Sequence, residues 1–214
     1  MKKFLLMLLT AVLTVCFFAG CKKNADYLSY VSEKRDNIYL YADDSLEIRI
    51  YTSQRENPYS ADGIKGDMTS LCEIYVRLPE NHDDVAVKVD AVEGEMNYKA
   101  VENCYYLSFS DALEKKESVT VTLSYGGNSA EYKAASVLDD GIISCEDAVK
   151  CAVEHGKELF ASLTDGNIFL GEIYVRLLYD DGCYYYVGVC DRNKKITAYL
   201  VDGERGKVIA SHEK

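Results

Sequence analysis

The chain has 214 residues, with 35 acidic against 24 basic, a formal charge of −11, 18 tyrosines and no tryptophan. A surface this acidic repels phosphate backbones and anionic lipid headgroups, which excludes nucleic acid as a partner and any purely electrostatic hold on a membrane. The length suits one large domain or two small ones, and two prolines, Pro58 and Pro79, leave no proline-rich stalk.

Residues 1–20 read as a secretory signal peptide: Met1-Lys2-Lys3 is basic, Phe4 to Phe18 is an almost unbroken apolar run, and small residues follow. The run is shorter than the ~20 residues that span a bilayer. Ala19-Gly20-Cys21 resembles a bacterial lipobox, with Phe18 where leucine is usual. The resemblance implies that Cys21 is lipidated, becomes the mature N-terminus and anchors the chain to the extracytoplasmic face of the cell membrane. The alternative is an ordinary signal peptide. Loss of Lys2 and Lys3 takes the charge from −11 to −13, so the hold must come from acyl chains, at about 0.8 kcal/mol per buried CH₂. Residues 21–36 are polar and are expected to form a tether, or a short frayed helix.

From Asn37 the apolar period becomes two. Leu46, Ile48 and Ile50 alternate with polar residues, as do Cys72, Ile74, Val76 and Leu78, then Val85, Val87 and Val89, then Tyr105, Leu107 and Phe109, and finally Val119, Val121, Leu123 and Tyr125. This pattern predicts half-buried strands. Gly126-Gly127-Asn128 predicts a tight hairpin, with a last strand over 129–134. About seven short strands without helix signal predict an antiparallel β-sandwich over 37–136. The closing hairpin loosely resembles the end of an immunoglobulin-like domain. The longest irregular stretch is Gln54 to Asp67, either a binding loop or a connection.

Asp139-Asp140-Gly141 is a turn signal joining the halves. Ser144 and Asp147 have capping-box spacing, with Asp in the place of Glu. Cys145, Ala148, Ala152, Gly156, Leu159 and Leu163 then recur at helical spacing, widened by Val149 and Phe160, predicting one amphipathic helix that ends near 164–167. Three strands follow, on Ile173, Val175 and Leu177, on Tyr185, Val187 and Val189, and on Thr197, Tyr199 and Val201, with turns at Asp180-Asp181-Gly182 and Arg192-Asn193-Lys194. The fold class is therefore mostly β with one main helix: a sandwich followed by a small α+β domain, a helix on an antiparallel sheet, over 142–210. This second domain resembles the PepSY family, in the helix opening Ile143-Ser144-Cys145-Glu146-Asp147-Ala148 and in Tyr199-Leu200-Val201-Asp202 with Gly206-Lys207-Val208. Arg205 stands where the family usually has Thr. The resemblance implies binding of a protein or peptide partner outside the cell, a peptidase among the candidates, with no catalytic residues.

Glu73 to Leu78 and Glu172 to Leu177 are the same hexapeptide, Glu-Ile-Tyr-Val-Arg-Leu. Their flanks differ, and convergence on one good strand sequence accounts for them better than duplication.

The chain contains no nucleophile elbow, zincin helix, phosphate loop or dinucleotide fingerprint, and no cofactor is implied. Cys151 and His155 share a helix face, but a zinc site lacks its other ligands, so no metal is expected. Asp43-Asp44, Asp83-Asp84, Asp139-Asp140 and Asp180-Asp181 sit beside turns and read as solvated turn residues. After removal of Cys16 and acylation of Cys21, six cysteines remain: Cys72, Cys104, Cys145, Cys151, Cys183 and Cys190. Any disulfide must join different elements, and no pairing stands out.

One face of the C-terminal sheet is accounted for by the helix. The other carries Tyr174, Arg176, Tyr184, Tyr186 and Leu200, with Leu178, Cys190, Ile196 and Ala198. It is too apolar for a water-facing side and is the candidate partner-binding face, unless the sandwich covers it. The leading expectation is a non-enzymatic, lipid-anchored binding protein. An envelope enzyme with a site in 54–67 or the interdomain cleft, and a structural spacer, are the alternatives.

Overall fold

The computed structural model describes residues 25–213; the expected signal peptide, Cys21 and the first residues of the expected tether lie outside them. The chain is mostly β. A short 3-10 turn, Tyr27–Tyr30, leads into β1 (Val31–Ala42), β2 (Glu47–Glu56), β3 (Met68–Arg77), β4 (Ala86–Val89), β5 (Val92–Glu95), β6 (Asn97–Lys99), β7 (Cys104–Phe109), β8 (Ser118–Tyr125) and β9 (Asn128–Ser136). Two helices follow, α1 (Cys145–His155) and α2 (Lys157–Ser162), with a small hairpin, β10 (Thr164–Asp165) and β11 (Ile168–Phe169). The chain ends in β12 (Gly171–Tyr179), β13 (Cys183–Asp191), β14 (Ile196–Asp202) and β15 (Lys207–Glu213).

The main path of the sheet runs β15-β14-β13-β12-β1-β2-β3-β7-β6, and β9-β8-β4-β5 branches from β1. All pairings are antiparallel except β1 with β12. One core gathers Ile48, Ile50, Ile74 and Val76 from the main path against Val87, Val89, Val121 and Leu123 of the branch. The alternation expected of half-buried strands is what delivers these side chains to one side. A second core lies between α1 and the sheet, and it takes the predicted inward residues Ile173, Val175, Leu177, Tyr185, Val187, Val189, Tyr199 and Val201 together with Cys145, Ala148, Val149 and Ala152.

Local signals read as expected at the start of the helix region and at the hairpin. Ser144 Oγ accepts the Asp147 N–H at 3.1 Å and bonds the Asp147 carboxylate at 2.8 Å, a capping box closed by Asp. Tyr125 pairs with Asn128 across Gly126-Gly127, both at positive φ (58° and 75°), as a two-residue turn requires. The single long helix is instead broken at Gly156. A Cβ there would collide with the Tyr199 hydroxyl, so the chain turns at the one residue that lets Tyr199 approach.

The expected tether over 21–36 is corrected from Ala25 onward: these residues are part of the fold. Val31 to Arg35 pair in parallel with β12, and Glu33 to Ala42 pair with β2. Most polar side chains that disguise the strand have distant partners, although Arg35 Nε is buried without a hydrogen bond among the described residues. Lys34 bonds Glu146 of α1, Glu33 bonds Arg176, and Arg35 lies 4.2 Å from the Tyr51 ring centroid. At the bulge after Arg35, buried Asn37 replaces the broken ladder by accepting the Ile38 N–H and the Ser136 hydroxyl, each at 2.8 Å. Upstream, Tyr27 and Tyr30 pack edge-on against Phe169, and Tyr27 also against Phe160. Ala25 and Ile38 are buried in the helix-side core, so this N-terminal segment completes the C-terminal half.

A fragment beginning near Leu138 therefore lacks a strand and part of its core. It is expected to give poorly cooperative thermal unfolding by circular dichroism, and to gain cooperativity when a peptide spanning residues 25–42 is added. Cooperative folding of the fragment alone, unaffected by the peptide, would show that β1 is dispensable.

Candidate functional site

The site is the face of β12, β13 and β14 opposite α1. Directly paired residues place Arg176, Tyr186 and Leu200 in one row, and Tyr174, Gly188 and Ala198 in the next. Gly188 has a structural reason: a Cβ there would stand 2.9 Å from the Tyr186 ring and 3.0 Å from the Tyr174 ring, so the two rings lie over its bare backbone. Tyr184, Tyr186, Leu200, Leu178, Ile196 and Ala198 are half-buried. Tyr174 and Cys190 are buried.

Tyr174 and Cys190 are covered by the β2–β3 connection, a segment of the 37–136 region, so this end of the face is covered from within the chain. β2 extends to Glu56, so the irregular segment is residues 57–67 rather than 54–67. Its neck is closed by the Asn57 N–H on Asp67 O at 2.9 Å. The buried Glu56 carboxylate accepts the Ser60 N–H at 3.1 Å and the Gly66 N–H at 2.6 Å. Gly63, at φ 81°, lies against the Asp191-Arg192 backbone where a Cβ would be 2.6 Å from the Arg192 nitrogen. The Tyr59 ring sits 6.2 Å from the Tyr174 ring, and its hydroxyl is 3.0 Å from Arg176 Nη2.

Arg176 is fixed from the other side. Its Nε donates to Glu33 Oε1 at 2.8 Å and its Nη2 to Glu33 Oε2 at 2.5 Å, a two-point fork on a carboxylate that is almost wholly buried. Burial works against the Arg176 charge, and the bonds and charge of Glu33 outweigh it, so the guanidinium is held more firmly charged than usual. It also lies 5.7 Å from both the Tyr174 and Tyr186 ring centroids.

Beneath the loop, Glu172 is 0% exposed. Its Oε1 accepts the Tyr174 hydroxyl, and its Oε2 has no hydrogen-bond partner among the described residues. Burial pushes this carboxyl up from its ordinary value, and Glu56 and Asp62 add to the effect, while the Tyr174 hydroxyl and the Gly63 amide oppose it. Burial and the Glu172 bond also raise the Tyr174 phenol. A shifted carboxylate is what an acid–base catalyst would show; with residues 57–67 in place, Glu172 does not reach solvent.

The other candidates resolve into structural roles. All six cysteines within the described residues are free. Burial raises the Cys72 and Cys145 thiols to about 12 and Cys183 to about 11, so they are not reactive thiolates at neutral pH. Cys151 donates to the Gly206 carbonyl at 3.1 Å while His155 packs edge-on against Tyr199, and no group of three metal-ligating side chains occurs among the described residues. A groove of about 630 Å³ beside the α1–α2 junction is lined by His155, Lys157, Tyr199 and His212, away from the tyrosine rows. Asp43, Asp84 and Asp139 each accept turn N–H groups, the solvated-turn role expected of them.

Sequence reasoning found Tyr174, Arg176, Tyr184, Tyr186 and Leu200 by alternation, and the structure brings all five to one face. It missed Glu33, Tyr59, Glu172 and Gly188. Glu172 was on the same alternating face and readable in principle; Glu33 and Tyr59 arrive from segments more than a hundred residues away, with no local signal.

No protein-family model, curated protein or solved structure matches the chain.

Removing one member of the Glu33–Arg176 pair strands a buried charge. Arg176→Ala is expected to cost about 2–4 kcal/mol in urea unfolding, slightly below the range for a pair buried on both sides. Glu33→Gln should cost less, since the amide oxygen still accepts one bond. A loss within 0.5 kcal/mol for Arg176→Ala, the level of an ordinary surface substitution, would show that the pair does not hold β1 to β12.

Proposed function

We propose that this is a non-enzymatic, lipid-anchored extracytoplasmic protein that captures a protein or peptide partner on the tyrosine face of its C-terminal sheet. The single observation behind this reading is that face: Arg176, Tyr184, Tyr186 and Leu200 remain half-exposed where a helix-backed sheet would turn a polar side to water. Tyrosine and arginine are the residue types in which binding energy concentrates, because they bring large, stiff contact area with a polar tip. The rings are also held in place, by Gly188 beneath and Arg176 beside them, which lowers the ordering cost of binding.

The C-terminal unit is read as PepSY-like, on the capped helix laid across an antiparallel sheet. That reading makes a peptidase a natural class of partner. The β1–β9 region is read as an immunoglobulin-like sandwich that carries the unit. No helix among the described residues is long and apolar enough to cross a membrane, and attachment is assigned to acyl chains on Cys21. The enzyme alternative, a site in residues 54–67 or an interdomain cleft, has no catalytic motif behind it.

Tyr184→Ser with Tyr186→Ser should weaken capture of the partner from envelope extract by at least tenfold while lowering the unfolding temperature little. Cys21→Ser should abolish fatty-acid incorporation and release the chain from the membrane fraction. Equal capture by the double variant sinks the binding face, and unchanged acylation sinks the anchor.

A further inference from the structure

Residues 57–67 have the character of a cover rather than of core. Among them only Gly63 is buried, and Tyr59 and Ile64 are 42% and 61% exposed. The segment is held by polar contacts: two amides on Glu56, the Tyr59 hydroxyl on Arg176, and Lys65 Nζ on the Ser29 carbonyl at 2.8 Å. A loop that buries almost no apolar side chain opens at small cost compared with global unfolding. What it covers is costly to cover. Glu172 is sealed with one carboxyl oxygen unpartnered, a penalty that opening to water relieves. Tyr59, meanwhile, lies against Tyr174 and Arg176.

We propose that residues 57–67 are a displaceable strap that closes over one end of the binding face, and that opening it gives a partner access to Glu172, Tyr174 and Cys190. The proposal rests on the binding-face reading and supplies its regulation. Protonation sets the direction. Glu172 is faced by Tyr174 and Cys190 from the sheet, by Glu56 from the end of β2 and by Asp62 from the strap; Arg176, Glu33 and Tyr59 lie in the neighbouring row, and Asp191 adjoins Cys190. With its carboxyl raised by burial, Glu172 keeps its proton more readily when the strap is closed. The Glu172 contribution to closure is therefore fully present in acid and is lost as pH rises above the ordinary carboxylate value of about 4.3.

Amide hydrogen exchange on the soluble chain from residue 25, corrected for intrinsic rates, tests this without any partner. Gly63 and Gly66 should exchange well ahead of the strands β2 and β12, and faster as pH rises. Glu172→Gln should slow them several-fold at neutral pH and flatten the pH dependence; Tyr59→Ala should speed them several-fold. A maleimide should label Cys190 in step with strap exchange while Cys72 stays unlabelled. Exchange of Gly63 and Gly66 only with global unfolding, Cys190 labelled only together with Cys72, or no response to Glu172→Gln would each overturn the proposal. Because capture is not measured, failure here is separate from failure of the binding face.

Discussion

The parallel pairing of β1 with β12, locked by the Glu33–Arg176 fork, is the constraint on which the rest depends. β1 links the two cores: Val31 to Arg35 pair with β12, Tyr39 and Leu40 with β9, and Glu33 to Ala42 with β2, and Ile38 and Tyr39 are buried in different cores. Glu33 is desolvated in this arrangement, and a buried carboxylate is tolerable only where a cation meets it with good geometry. The ion pair therefore specifies register as much as it stabilises. Shifting β1 by one residue would turn Glu33 toward the apolar helix core and leave Arg176 unanswered.

The same contact shapes the candidate site. Arg176, pinned by Glu33, gives the Tyr59 hydroxyl its bond and stands beside the Tyr174 and Tyr186 rings. An element at the start of the chain thus positions a side chain near its end, and the β2–β3 connection covers what they frame. The candidate face, its cover and the joint between the two cores are one structure, so changes at the joint are expected to reach the face.

Much of this was legible in the sequence because the signals were local. Alternation placed Ile173, Val175 and Leu177 inward and Tyr174 and Arg176 outward, Gly126-Gly127 demanded a two-residue turn, and Ser144 with Asp147 announced the helix. What was hidden depended on distant partners. Ser32 to Asp36 has the composition of a tether because Glu33, Lys34 and Arg35 meet Arg176, Glu146 and the Tyr51 ring, none of which adjoins them in sequence. The repeated hexapeptide makes the point most directly. Ile74 and Val76, like Ile173 and Val175, point into a core, so alternation holds in both copies. Yet Glu73 is half-buried and bonds the Tyr106 hydroxyl, whereas Glu172 is sealed beneath residues 57–67 with an unpartnered oxygen. Identical sequence has different chemistry because the cover is supplied from elsewhere. Gly156 falls on the helical stripe by spacing, but its role is set by Tyr199, across the core.

If β1 joins the two cores, they must unfold together. Equilibrium urea unfolding of the chain from residue 25, followed in parallel by helix circular dichroism at the C-terminal core and by hydrogen exchange of β3 and β8 in the other core, measures this directly. The account predicts one coincident transition with a single midpoint. Two separated transitions, with the helix signal lost while β3 and β8 remain protected, would contradict it.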